Sequence, residues 1–219
     1  MRKSAETLKP EVTKDEASYL LEICRRMGFP GKHLEIGTAA GGTLCLLMKV
    51  FEDETRPPFV VVDRMTYFPD QLNIIKTNLK NNGLSEHGVD FRIKTSVEAF
   101  NEAYSNKEIF DFILIDAGHK IHRVMEDLRW TRLLNAGGVI CMHDYGPSKG
   151  VKLAADRFMK KNTHFELLGL VDSLLVLRKN HIAGKEEVTM ADRLWSVILA
   201  PVLQLESSIK KRLRKKGWL

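Results

Sequence analysis

The 219-residue chain is long enough for one substantial core and too short for two ordinary domains. With 44% hydrophobic and 28% charged residues it has the composition of a soluble globular protein. Its longest nearly uncharged apolar run, 194–205, falls short of the ~20 residues that span a bilayer, and no leading apolar segment suggests a secretory signal. The net charge of +6 is unevenly spread: Lys210, Lys211, Arg212, Arg214, Lys215 and Lys216 against Glu206 leave the rest of the chain nearly neutral. A nucleic-acid footprint across the whole domain is therefore not supported. Three cysteines, Cys24, Cys45 and Cys141, form no CxxC pair and read as reduced core thiols of a cytoplasmic protein.

In chain order, Tyr19, Leu20, Ile23, Cys24 and Met27 recur at helical spacing, so 14–28 is expected to be a helix ending near Gly28. A short strand at 32–36 leads into the turn Gly37-Thr38-Ala39-Ala40-Gly41-Gly42 and a helix carrying Leu44, Leu46, Leu47 and Val50. Phe59 to Val62 has no alternation, the mark of a strand covered on both faces, and it ends at Asp63. A helix over 69–82, a strand at 89–94 and a helix over 96–104 follow. The run Phe110 to Ile115 is the next strand and stops at Asp116. A helix from about 120 to 133 then precedes Ala136-Gly137-Gly138, which is expected to turn into a strand from Val139 to Met142. After a helix at 149–160, strands near 164–169 and 172–178 are joined too closely for a parallel crossover and must pair antiparallel. The pattern predicts an α/β fold: a doubly wound, mostly parallel seven-stranded sheet with an antiparallel last strand.

In such a sheet, ligands bind beyond the carboxyl ends of the strands. Glu35, Asp63, Ser96, Asp116, His119, His143 and Asp144 all fall on that rim. Glycine lets the backbone at 37–42 approach a ligand closely, and Asp63 is placed to accept both hydroxyls of a ribose. Together they suggest a nucleoside cofactor without saying which, since GxxxGG lacks the three-glycine pyrophosphate turn. Asp116 and Asp144 could ligate a hard divalent ion such as magnesium; His143 beside them better suits a softer one. Plainer readings compete: Asp116 or His119 as helix caps, and His143-Asp144 as a structural turn. Tyr67, Phe68 and Tyr145 could cover the pocket, while His122 lies one helical turn beyond His119.

These residues resemble those of class I S-adenosylmethionine-dependent methyltransferases over roughly residues 14–178. Leu34 to Gly42 resembles the family's cofactor loop, with Glu35 in the acidic place and Ala39 where glycine is frequent. The resemblance implies that Glu35, Gly37, Thr38, Ala39, Gly41, Gly42, Asp63, Ser96 and Asp116 contact the cofactor. Phe110 to His119, Asp127-Leu128, Leu133 to Gly138 and His143-Asp144 are similar to a subgroup of O-methyltransferases that includes sugar-hydroxyl enzymes, and to a cephalosporin-hydroxylase-like branch. In metal-dependent relatives an acidic residue at the place of Asp116 and a following acidic pair hold magnesium; here the pair is His143-Asp144. A histidine at the place of His119 is the base in sugar-acting relatives. The implied catalytic set is His119, Asp116 and Asp144, with Asp116, His143 and Asp144 around Mg2+ or another divalent cation. The reaction implied is methyl transfer to a hydroxyl of a sugar or small molecule. A noncatalytic nucleoside-cofactor-binding protein and an NAD-dependent oxidoreductase are the alternatives; the latter should show a true pyrophosphate fingerprint.

The organisation expected is a cofactor-binding domain over 1–180 with its N-terminal helix, then a basic amphipathic helical extension over 181–219. In the extension Leu194, Trp195, Ile198, Val202, Leu205, Ile209 and Leu213 recur near a helical period, with Pro201 expected to bend the helix. It could pack on its own domain or form a homo-oligomer. It could instead lie on an anionic membrane at the inner face, anchored by Trp195 and Trp218. Nucleic-acid contact is the weakest reading, because no aromatic surface is interleaved with the charges.

Overall fold

The computed structural model describes residues 11–181 and 186–215. Its strands are β1 (Lys32–Ile36), β2 (Phe59–Asp63), β3 (Val89–Ile93), β4 (Phe110–Ile115), β5 (Leu134–Met142), β6 (Phe165–Val171) and β7 (Leu174–Lys179). They form one sheet in the order β3-β2-β1-β4-β5-β7-β6. All pairs through β5 are parallel, and β7 runs antiparallel to both β5 and β6. The helices are α1 (Lys14–Met27), α2 (Gly42–Met48), α3 (Gln71–Asn81), α4 (Ser96–Ser105), α5 (Ile121–Asp127), α6 (Lys149–Lys161) and α7 (Met190–Lys215).

The central strands show no polar alternation because both their faces are covered. Leu34, Ile36, Val60, Val62, Ile113 and Ile140 pack in the layer that contains α4, α5 and α6. Val61, Phe112, Leu114, Val139 and Cys141 pack in the other, with α1, α2 and α3. Each such side chain removed from water stabilises the fold by roughly 1.5–3 kcal/mol, which anchors the strand ends that carry polar residues. All three cysteines are buried and free, as expected.

Two boundaries differ from expectation. The helix expected to reach 133 ends at Asp127 and tightens into a 3-10 segment over Leu128–Leu133. At three residues per turn, Leu128 stacks on Thr131 and Trp130 on Leu133, and all four bury; an α-helix would turn Leu128 and Trp130 to opposite sides. Ala136-Gly137-Gly138 does not precede β5 but lies inside it, where the pairing with β4 shifts register between Phe110 and Phe112.

Helix α7 runs unbroken through Pro201. Ser196 and Ala200 are buried, and Trp195, Leu199 and Leu203 pack against the core. Glu126 of α5 binds Arg193, and Arg157 and Lys161 of α6 both reach Asp192. No helix among the described residues is long and apolar enough to cross a membrane. Trp218, the first ten residues and the 182–185 stretch of the expected extension lie outside the described residues.

Candidate active site

Backbone bonding carries the strand ladders one step past their ends. The Gly37 N–H donates to the Val62 carbonyl, Asp116 N–H to Ile36, and His143 N–H to Ile115. The residues that follow β1, β4 and β5 therefore leave the sheet in register on one edge, beside the end of β2 at Asp63.

The turn after β1 is wound tightly, with positive φ at Gly37 (83°), Ala39 (44°) and Gly41 (79°). A Cβ on Gly37 would stand 2.2 Å from the Asp116 carbonyl oxygen, so only glycine lets the turn pass under β4. Helix α3 holds the turn from the other side. Gln71 Nε2 donates to the Ala39 carbonyl at 2.8 Å, and Asn78 Nδ2 to the Ala40 carbonyl at 2.7 Å. Asp63 accepts from the amides of Thr38 (3.1 Å) and Met65 (2.6 Å). Beneath the turn, Glu35 Oε2 and Thr38 Oγ1 are buried without a partner. Burial pushes the Glu35 carboxyl up to about 8, with the adjacent Thr38 side chain pulling the other way and the nearby Asp116 and Asp63 carboxylates adding to the rise. Both residues line a cleft with Gly37, Ala39, Thr43 and Asp116. A buried acid and hydroxyl without partners, opening on a cleft over a glycine turn, suit a ligand that brings donors or a positive charge.

Beside that cleft, His143 is held at both nitrogens. Nδ1 lies 3.2 Å from Asp116 Oδ1, and Nε2 lies 3.2 Å from Glu16 Oε2. Burial opposes a charge on the ring, but Asp116, Asp144 and Glu16 outweigh it and raise its pKa to about 9. Glu16 itself is fully buried and also accepts from the backbone and hydroxyl of Ser173. Burial works against its charge too, yet the Thr13 and Ser173 bonds and His143 keep its carboxyl below the usual value. One ligand atom each from Asp116, His143 and Asp144 lie within 4.8 Å of one another, a grouping that a divalent cation could use. In that case Glu16 would fix the ring from behind, as carboxylates do behind metal-binding histidines.

Beyond Asp144 stands His119, 55% exposed, with Nε2 2.6 Å from Asp144 Oδ2. Its backbone is pressed by the start of α6: a Cβ on Gly150 would lie 2.2 Å from the His119 carbonyl oxygen. Asp144 adopts φ of 60°, which turns its carboxylate back toward both histidines.

Glu35, the 37–42 turn, Asp63, Asp116, His119, His143 and Asp144 thus share one edge. Ser96 begins α4, and its hydroxyl accepts from Trp130 Nε1 at 3.0 Å. The Tyr145 hydroxyl donates to Asp156, and Tyr67 is exposed, packed edge-on against Phe68. Glu16, Gln71 and Asn78 were not among the expected site residues. Glu16 carried a signal, the Thr13-x-x-Glu16 pattern that forms the capping box of α1, but that pattern announces only a helix start.

Strand order, turn and rim cluster define an α/β protein of the Rossmann-like class, with its ligand site at the carboxyl edge of the sheet. A family model described as a methyltransferase domain matches residues 34–145, just over half of the chain, and the chain belongs to this family. Among solved structures it is similar to one described as an O-methyltransferase from Klebsiella pneumoniae, with 17% identity, TM-score 0.64, and 80% and 84% of the two chains covered. An O-methyltransferase from Bacillus cereus in complex with S-adenosylhomocysteine aligns at 18% identity and TM-score 0.62, over 80% of this chain and 86% of that one. A TDP-rhamnose 3′-O-methyltransferase of calicheamicin biosynthesis aligns at 16% identity and TM-score 0.60, over 76% and 80%. At these identities the likeness establishes the fold. No curated protein sequence matches the chain.

Proposed function

We propose that this methyltransferase transfers the methyl group of S-adenosylmethionine to a hydroxyl oxygen of a sugar or other small molecule. The observation that carries the reading is the cleft in which unpartnered, buried Glu35 and Thr38 oxygens open beside the Asp116, His143, Asp144 and His119 cluster. S-adenosylmethionine, when bound, supplies an electrophilic methyl group on a sulfonium sulfur. Glu35 would meet the cationic amino group of the donor's amino-acid portion, the 37–42 turn would lie against its body, and Asp63 would accept from the ribose hydroxyls.

His119 would take the proton of the acceptor hydroxyl as that oxygen bonds to the methyl carbon and the methyl–sulfur bond breaks, its electron pair staying on the sulfur of departing S-adenosylhomocysteine. With Asp144 against Nε2, Nδ1 is the nitrogen left to receive it. Asp116, His143 and Asp144 would hold a divalent cation, which would supply Lewis acidity toward the acceptor hydroxyl. Without an ion, the charged His143 ring bridges Glu16 and Asp116 and keeps the two acids from repelling each other.

The O-methyltransferases with this fold, one of which acts on a TDP-sugar, support oxygen as the acceptor atom. Membership in a methyltransferase family weighs against the NAD-dependent alternative. Calorimetry with S-adenosylhomocysteine and NAD tests the cofactor, followed by transfer of labelled methyl to a panel of nucleotide sugars and phenols. Binding of the first ligand, weakened at least ~10-fold by Asp63→Ala, is expected. Binding of NAD alone would overturn the assignment, and donor binding without transfer to any acceptor would favour a noncatalytic protein.

A further inference from the structure

The apolar face of α7 that remains after it packs on the core is long, continuous and without charge. Leu194, Ile198, Val202, Leu205 and Ile209 recur every three or four residues and are 48–65% exposed. They form a stripe of roughly 22 Å at the helical rise. The charged side chains between Met190 and Ile209 lie elsewhere: Asp192 is buried against α6, Arg193 is tied to α5, and Glu206 is held by Lys149 and Lys210. Beyond Ile209 the sequence turns strongly basic, with Lys210, Lys211, Arg212, Arg214, Lys215 and Lys216.

We propose that this face of α7 docks on an anionic lipid surface, with the stripe in the headgroup boundary and the basic end on the lipid phosphates. Charge decides between lipid and a second copy of the chain. Two copies paired in parallel would set their basic ends side by side. Paired antiparallel, each basic end would meet the start of the partner helix, where the acids are already taken: Asp192 by Arg157 and Lys161, and Glu126 by Arg129 and Arg193. An anionic bilayer supplies the missing negative charge and accepts the apolar stripe as well.

The orientation follows from α6. Lys149, which grips Glu206, is followed by Gly150, packed on the His119 backbone. The basic end of α7 therefore emerges at the sheet edge that carries the candidate site, and docking would hold that edge beside the membrane.

Sedimentation of the full chain with vesicles tests this independently of any methyl transfer. Vesicles of three parts phosphatidylcholine to one part phosphatidylglycerol should carry the protein down, and phosphatidylcholine alone at least ~10-fold less. The exposed double substitution Ile198→Glu with Leu205→Glu should reduce partitioning at least ~10-fold with the melting temperature preserved. Lys210→Gln with Arg212→Gln should weaken binding to the anionic vesicles only. Wild-type protein that stays in solution with both vesicles would overturn the proposal, as would equal recovery of the Ile198/Leu205 variant. A vesicle-indifferent dimer that this variant splits into monomers would assign the face to a second copy instead.

Discussion

Glu16 and His143, 127 residues apart in sequence, face each other at 3.2 Å across the junction of α1 with the end of β5. The contact makes the N-terminal helix part of the rim, since the same carboxylate also binds Ser173 between β6 and β7. If Asp116, His143 and Asp144 hold a cation, Glu16 sets the orientation of the imidazole. Glu16→Gln should then weaken manganese binding by ~10–100-fold, and Asp116→Asn should weaken it further. Titration followed by electron paramagnetic resonance reads both. Unchanged manganese affinity in Glu16→Gln would remove the orienting role.

His119 and Asp144 make a separate prediction. His119→Ala should lower turnover at least ~100-fold while leaving S-adenosylhomocysteine affinity within a few-fold of wild type. Asp144→Asn should lower turnover less, because it misorients the base without removing it. Near-normal turnover in His119→Ala would transfer the base role to another group.

What the sequence discloses and what it hides divide along a physical line. Strands such as Phe59 to Val62 and Phe112 to Ile115 contain continuous apolar runs, each followed by one carboxylate, so local pattern locates both the strand and its rim residue. The parallel order then brings those residues to one edge. Glu16 escapes such reading because its partners lie 127 and 157 residues away. Gln71 and Asn78 act through bonds to the carbonyls of Ala39 and Ala40, which leave no mark on residue type. The 3-10 segment after Asp127 is set by the need to bury Trp130, a tertiary demand. In α7 the first half is apolar nearly all round, so only packing reveals that Ser196 and Ala200 face inward while Ile198 and Leu205 do not.

The glycine turn offers a paired test of backbone strain. Ala39 holds φ of 44°, where an L side chain crowds its own carbonyl, so Ala39→Gly should stabilise the protein by about 1 kcal/mol. Gly37→Ala should do the reverse by about 3 kcal/mol, because its Cβ would be driven into the Asp116 carbonyl. Urea unfolding of both variants measures the two signs. A destabilising Ala39→Gly would mean that chain freedom gained in the unfolded state outweighs the strain relieved.

Asp127 makes the prediction for pH. It is buried beside Ser96 of α4, and burial raises its carboxyl to about 7, with Ser96 pulling the other way. The folded chain therefore holds this proton more tightly than the unfolded one. That contribution is complete below about pH 4, shrinks by roughly 1.4 kcal/mol per pH unit above it, and is gone once the pH has passed the folded value near 7. Asp127→Asn removes the titration. The difference in stability between variant and wild type should then shift in the variant's favour from pH 4 to pH 8, whatever its starting value. Melting curves across that range provide the test. A difference that stays constant with pH would show that Asp127 is already ionised in the folded protein, its charge met by Ser96 and Arg123.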